Sequence, residues 1–282
     1  MNGEVMKSTM MTIDPALAEK MLGTMKHNRR LSTRNVAFLV DQMKTGLWMQ
    51  DGSPIRFNTE NELIDGQHRL WAIIEAEFTA EFFVLYGVEH AAMATMDTGK
   101  TRSFSDILTL EEGEIPQVTG VASTTQVLYR WEDGRRGSGL VTGGGEYRVP
   151  NAVLLQFFRE HRERIIEVNR SGNTTAKKIR GLSGTTMALA YWVLDAIDAA
   201  DAEYFFEHLV SGVALEDGSP ILALRNYLVR ATQGADARQK LPLDLGVALI
   251  LKAWNAYREG DPIKVMTYRR GGASPEAFPT PK

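Results

Sequence analysis

The sequence predicts an α+β protein, with a small mixed-sheet domain followed by an all-helical one. Three observations carry that expectation. In the first 112 residues, short runs rich in β-forming side chains alternate with helical segments. From about Pro116 onward, apolar residues recur near every 3.6 positions with no strand pattern between them. A chain of 282 residues, 44% of them hydrophobic, also has enough material to bury a sizeable core without covalent staples. The expected division is a mixed-sheet domain at 12–112, a helical domain at 113–270 and an extended tail at 271–282.

In order, Asp14-Pro15 opens a first helix, because Asp can cap and Pro at the first helical position forfeits no useful N–H. Its apolar face is Leu17, Met21, Leu22 and Met25. Ser32 caps a second helix with Val36, Leu39, Val40 and Met43 on one face, and Gly46 stops it. Two short extended pieces follow, Ile55 to Phe57 and Leu63-Ile64, parted by the polar turn Asn58 to Asn61. A helix runs from about Gln67 to Ala76, a buried strand from Phe82 to Tyr86, and another short helix begins near Ala91. Ser103 caps a helix through Phe104, Ile107 and Leu108. Helices are then expected near Pro116–Trp131, Pro150–Asn169, Ser183–Ala199, Ala202–Val213, Pro220–Thr232 and Leu243–Arg258. The glycine-rich stretch Asp133 to Arg148 is costly to order and is expected to be a loop or hinge. Tyr191, Trp192, Tyr204, Phe205 and Phe206 fall at helical spacing and are expected in the core.

Composition narrows the function classes. The chain has no cysteine, which excludes thiolate nucleophiles, cysteine zinc sites and disulfides. Its five histidines are scattered without metal-ligand spacing. No Gly-x-Ser-x-Gly elbow is present. No signal-peptide pattern and no apolar run of membrane-spanning length is found, so a cytoplasmic location with no membrane partner is expected. The net charge of −3 supplies no global field for nucleic acid, and any such contact must be local.

The segment Leu63-Ile64-Asp65-Gly66-Gln67-His68-Arg69-Leu70 passes from strand to glycine turn to helix. That geometry suits a phosphate. Gly66 permits close backbone approach, and the first N–H groups of the helix point outward with the positive end of the dipole behind them. Arg69 can offer a bidentate fork to phosphate oxygens. His68 can donate a hydrogen bond or move a proton near neutral pH. Asp65 can orient the histidine, coordinate Mg²⁺ or accept a hydroxyl proton. A plain helix start, with Asp65 as N-cap and Arg69 solvated, fits the spacing equally well.

The pentapeptide Asp65 to Arg69 resembles the signature of the ParB/sulfiredoxin-like superfamily, in particular its branch carrying the same Asp-Gly-Gln-His-Arg box. The matching positions are Gly66, His68 and Arg69, with Asp65 matching that branch and the free-serine kinase branch. The N-terminal half is also similar to phage and actinobacterial proteins described as carrying a ParB-like nuclease domain, through Asn28-Arg29 with Leu31-Ser32, Asp65 to Leu70, and Met96 to Gly99. The resemblance spans about residues 12–110. It implies a ParB/sulfiredoxin-like mixed-sheet fold whose polar box binds nucleotide phosphates. The sulfiredoxin cysteine is missing, which removes that activity. No helix-turn-helix of the partition-protein type is recognisable.

Further constellations surround this motif. Gly99-Lys100-Thr101 imitates the end of a P-loop, but the required earlier glycine is Ala94. Lys100 could still meet phosphate and Asp97 a metal, or Asp97 to Gly99 could form an ordinary turn. His27-Asn28-Arg29-Arg30 reads as a second phosphate clamp or as a solvated helix end. The stretch 159–180 carries Arg159, Arg162, Arg164, Arg170, Lys177, Lys178 and Arg180. It could follow a nucleic-acid backbone or be a solvated face with internal ion pairs.

The expectation is therefore a nucleotide-binding, DNA-associated protein of phage or mobile-element type, for which NTP hydrolysis is a compatible activity. Asp65, His68 and Arg69 would carry the chemistry, and Gly66, Gln67, Arg29, Arg30, Asp97 and Lys100 would hold the NTP. Mg²⁺ would sit at Asp65 and DNA along 159–180, and a homodimer is compatible. The alternatives are a metal-dependent DNA nuclease, a non-enzymatic DNA-binding regulator and a small-molecule phosphotransferase.

Overall fold

The computed structural model describes residues 6–26, 30–89, 102–141, 148–233, 239–272 and 274–282. It is α+β and mostly helical, with one four-stranded mixed sheet. Two compact units are present. The first is Met1–Thr101 with Glu146–Pro150, and the second is Arg102–Gly145 with Asn151–Lys282.

The first unit holds β1 (Lys7–Ile13), α1 (Pro15–Leu22), α2 (Thr33–Lys44), β2 (Ile55–Asn58), β3 (Leu63–Asp65), α3 (Gln67–Ala76) and β4 (Ala80–Val88). Local chemistry sets the helix starts. Asp14 Oδ1 accepts from the Leu17 N–H at 2.7 Å, with Pro15 as the first helical residue, and the Ser32 hydroxyl accepts from the Asn35 N–H at 3.3 Å. The sheet runs β1-β4-β2-β3: β1 is antiparallel to β4, β4 parallel to β2, and β2 antiparallel to β3. Buried Ile13, Val36, Ile55, Phe57, Leu63, Leu70, Ile73, Phe82 and Val84 form the core on one face of that sheet, under α1, α2 and α3. The opposite face is open, with Met10 and its cross-strand partner Phe83 both exposed.

The turn joining β2 to β3 is organised by Asn58, 3% exposed, whose Oδ1 accepts from the Glu60 and Glu62 N–H groups at 2.9 and 2.8 Å. Leu63 N–H donates to Thr24 Oγ1 at 3.2 Å and so ties the end of α1 to β3. Together these bonds hold the strand that leads into the Asp65 to Arg69 box.

The second unit contains α4 (Phe104–Glu112), α5 (Val118–Glu132), a 3-10 turn (Gly137–Leu140), α6 (Asn151–Lys178), α7 (Gly184–Ile197), α8 (Ala199–Ser211), α9 (Pro220–Ala231) and α10 (Leu243–Glu259). Its centre is α7 and α10, on which Met187, Leu189, Leu194, Val247, Ile250 and Trp254 are all buried. α6 crosses α7 closely at Gly172, where a Cβ would lie 2.6 Å from both the Ala188 nitrogen and the Gly184 oxygen.

Three sequence expectations change here. The glycine-rich stretch is not wholly a loop, because the 3-10 turn buries Leu140 and Arg136 lies 3.6 Å over the Trp131 ring. α6 does not stop at Asn169 but runs on to Lys178, with a kink at His161 (φ −126°, ψ 20°). Tyr204 is exposed rather than core, stacked on His208 and Tyr257, whereas Trp192, Phe205 and Phe206 are buried. The tail is extended as expected, and it is also docked. Trp254 Nε1–H donates to the Lys282 carbonyl at 2.8 Å, Asn255 Nδ2–H to Thr280 at 2.8 Å, and Lys252 pairs with Glu276 at 2.7 Å. Among the described residues, no helix is long and apolar enough to cross a membrane.

Candidate functional site

The box begins where β3 ends and α3 starts, at the sheet edge next to β2. Gly66 has φ +107° and ψ 0°, a conformation that L side chains rarely adopt. A Cβ there would also run into Ile55 Cδ1 and lie 3.4 Å from the Ile55 Cα. Glycine is therefore required twice over, by torsion and by space. Its carbonyl accepts from Arg69 N–H at 3.0 Å and Leu70 N–H at 3.1 Å, so the Gln67 and His68 amides precede the first bonds of the helix ladder. Leu70, Ala72 and Ile73 anchor α3 in the core, and Gln67 is 4% exposed.

Asp65 lies directly opposite Arg56 in the β2–β3 register. Its Oδ2 accepts from Arg56 Nη1 and, at 3.4 Å, from Arg69 Nη2. Arg69 is fixed further by Nη1 donating to the Ser53 carbonyl and Nη2 donating to Pro54 at 2.9 Å. The three charged side chains are 15–26% exposed. Two guanidiniums around one carboxylate leave a local charge of +1, in partly desolvated surroundings where Coulomb interactions are stronger than in water. Arg69 is not the solvated outer-face residue that a plain helix start would give.

His68 Nε2 accepts from the Ser32 N–H at 3.0 Å. Nε2 is therefore the lone-pair nitrogen and Nδ1 carries the proton. The bond ties the start of α3 to the cap of α2, so the histidine has a positioning role as well as a donor. Arg30 is exposed beside that cap. Arg29, Asp97 and Lys100 lie outside the described residues.

Arg56 was not singled out by the sequence. The only available signal was an arginine alternating with core residues in Ile55-Arg56-Phe57. Its meaning depends on the strand register, which a single sequence does not reveal. Ser53 and Pro54 supply backbone carbonyls alone, for which side-chain chemistry gives no cue.

Elsewhere, the basic stretch 159–180 divides in two. Arg159 pairs with Glu111 and Glu112, Arg162 pairs with Glu112, and Arg164 lies 4.3 Å over the Trp192 ring and donates to the Trp192 carbonyl at 2.9 Å. These three are structural. A cavity of about 410 Å³ opens at the α6 kink, lined by residues from Arg159 to Arg164. Because two of its three arginines are neutralised by α4, the β3–α3 junction is the stronger candidate site. Among the described residues, no three His, Asp or Glu side chains converge to hold a metal ion. Compared with protein-family models, curated proteins and solved structures, the chain gives no match.

Proposed function

We propose that the chain is a nucleotide-binding protein of ParB/sulfiredoxin-like type that works in association with DNA, in a phage or mobile-element setting. The observation supporting this most strongly is the net positive Arg56–Asp65–Arg69 cluster at a glycine turn that opens a helix. An anion is favoured at a helix N-terminus, and planar guanidiniums recognise phosphate bidentately.

In this reading the Gly66 and Gln67 amides face the phosphate and His68 Nδ1–H donates to it. Arg69 exchanges neutral carbonyl acceptors for charged oxygens, and charge-assisted bonds are roughly twice as strong as neutral ones. Asp65 positions the two guanidiniums. Since its carboxylate already serves both of them, Mg²⁺ would come with the nucleotide's own phosphate oxygens.

Titration calorimetry of the full chain with each of the four NTPs plus Mg²⁺ tests the reading. At least one should bind, with affinity falling about tenfold or more in Arg69→Ala, since a bond to a charged group is worth about 1.5–3 kcal/mol. Arg69→Lys, which keeps charge but not the fork, should fall between the two. Hydrogen exchange at 51–54 should quicken on binding as Arg69 leaves those carbonyls. Absence of heat with every NTP, or unchanged affinity in a folded Arg69→Ala, overturns the proposal.

A further inference from the structure

The second half of the basic stretch behaves unlike the first. Between Glu167 and Asp195 the sequence contains no acidic residue, but it carries Arg170, Lys177, Lys178 and Arg180. All four are exposed, and none makes an ion pair among the described residues. From Arg170 to the end of α6 the exposed positions are Arg170, Thr174, Lys177 and Lys178, the i, i+4, i+7, i+8 pattern of a single face that begins one turn after exposed Glu167. Opposite that face, Val168, Gly172 and Thr175 are buried, which fixes the rotation of the helix.

A fifth cation comes from far along the chain. Leu241 N–H donates to the Gly181 carbonyl at 2.7 Å, bringing exposed Lys240 beside Arg180. The ordinary explanation for such cations is compensation of the helix dipole, which acts only within the last turn. It can account for Lys177 and Lys178. It does not account for Arg170 two turns earlier, or for Arg180 and Lys240 beyond the helix end.

We infer that this face is a docking surface for the phosphate backbone of duplex DNA. Arg170 to Lys178 covers about 12 Å of helix at 1.5 Å per residue, enough to meet several phosphates of one strand. The exposed residues between the cations, Thr174 and Gln239, are polar, and no large apolar side chain is exposed among the described residues from 148 to 196. A lipid-binding helix needs such an apolar face, and a single-strand binder needs aromatic platforms, so the surface fits duplex phosphates best. Contacts to phosphate carry no sequence information, so binding through these cations should be independent of sequence.

The inference deepens the DNA association proposed above but does not use the Arg69 pocket, so the two can fail separately. The test is fluorescence anisotropy of the full chain with a labelled 30-base-pair DNA duplex across a salt series. Two unrelated sequences should bind alike, and binding should weaken steeply with salt. The triple variant Lys177→Gln, Lys178→Gln, Arg180→Gln should lower the slope of log K against log salt by about 2–3, since each phosphate contact contributes about 0.9. Affinity at low salt should fall at least tenfold, while the exposed control Lys44→Gln binds normally. Unchanged slope and affinity in a triple variant whose circular dichroism matches the parent overturn the inference, as does binding only to anionic vesicles or only to single strands. Loss of DNA binding in Arg69→Ala alone would place the contact at the pocket and overturn it too.

Discussion

Substituting Gly66 by alanine should damage the β3–α3 junction through two separable effects. At φ +107° a Cβ brings backbone strain of about 1–3 kcal/mol. The same atom collides with Ile55 Cδ1, and overpacking of this kind costs about 1–3 kcal/mol more. Gly66→Ala should therefore destabilise the first unit by about 2–6 kcal/mol. Ile55→Val removes the colliding methyl and alone should cost about 0.5–1.5 kcal/mol. The double variant should then be more stable than the sum of the singles predicts, by about 1–3 kcal/mol, because the steric part vanishes and the torsional part stays. Urea unfolding read by hydrogen exchange of peptides from 55–76 isolates this unit from the helical one. A loss below about 0.5 kcal/mol in Gly66→Ala would refute both the torsion and the contact, and a cycle additive within that margin would refute the contact.

Three further outcomes follow from the helical unit. Burial pushes the Asp195 carboxyl up to about 6, against a smaller opposing pull from Arg164 and a push from Glu167. Its folded value lies above the unfolded one, so its effect on stability declines as pH rises from about 4 to 6. Asp195→Asn should remove that decline and raise stability at pH 7 by about 2 kcal/mol after allowance for solvent screening, read by urea unfolding at pH 4, 5, 6 and 7. Gly172→Ala should cost about 3 kcal/mol or more, because its Cβ meets backbone rather than a movable side chain; thermal unfolding by circular dichroism checks it. Deleting residues 274–282 removes the bonds from Trp254, Asn255 and Lys252 to the tail and should lower stability by about 2–4 kcal/mol. The Trp254 fluorescence should shift to the red as its indole N–H meets water.

How much of the fold could be read in advance depended on whether local chemistry and tertiary packing agreed. α3 follows from a glycine turn and an apolar face that both point to the same helix, and β4 from a run of β-forming side chains, although the strand runs on through Gly87 to Val88 instead of ending at the glycine. β1 was missed because it is an edge strand with only Ile13 buried, so no alternation between core and solvent marks it. α6 was ended early at Asn169 because Gly172, Thr174 and Thr175 are poor helix formers. The packing of Gly172 on Ala188 and Gly184 overrides that preference, a long-range contact that local propensity cannot report. The docked tail was legible as extended chain, but its attachment rests on backbone carbonyls that carry no sequence signal. The box itself was visible as a motif, whereas the partners that aim it, Arg56, Ser32, Ser53 and Pro54, required the register and the loop path.

Those partners explain why an acidic residue can stand in a site that would receive an anion. A lone carboxylate one residue ahead of a helix N-terminus would be favoured by the helix dipole, yet it would repel phosphate. With Arg56 across the strand pair and Arg69 one turn along the helix, the same carboxylate instead restrains two planar forks and leaves the junction positive. A lysine at either position would keep the sign but lose the planar fork, and with it the bidentate geometry that the proposed function requires. The acid therefore serves the arginines. On that arrangement, Asp65 and Arg69 act together as one device for holding guanidinium groups at a fixed angle beside a glycine turn that only glycine can form.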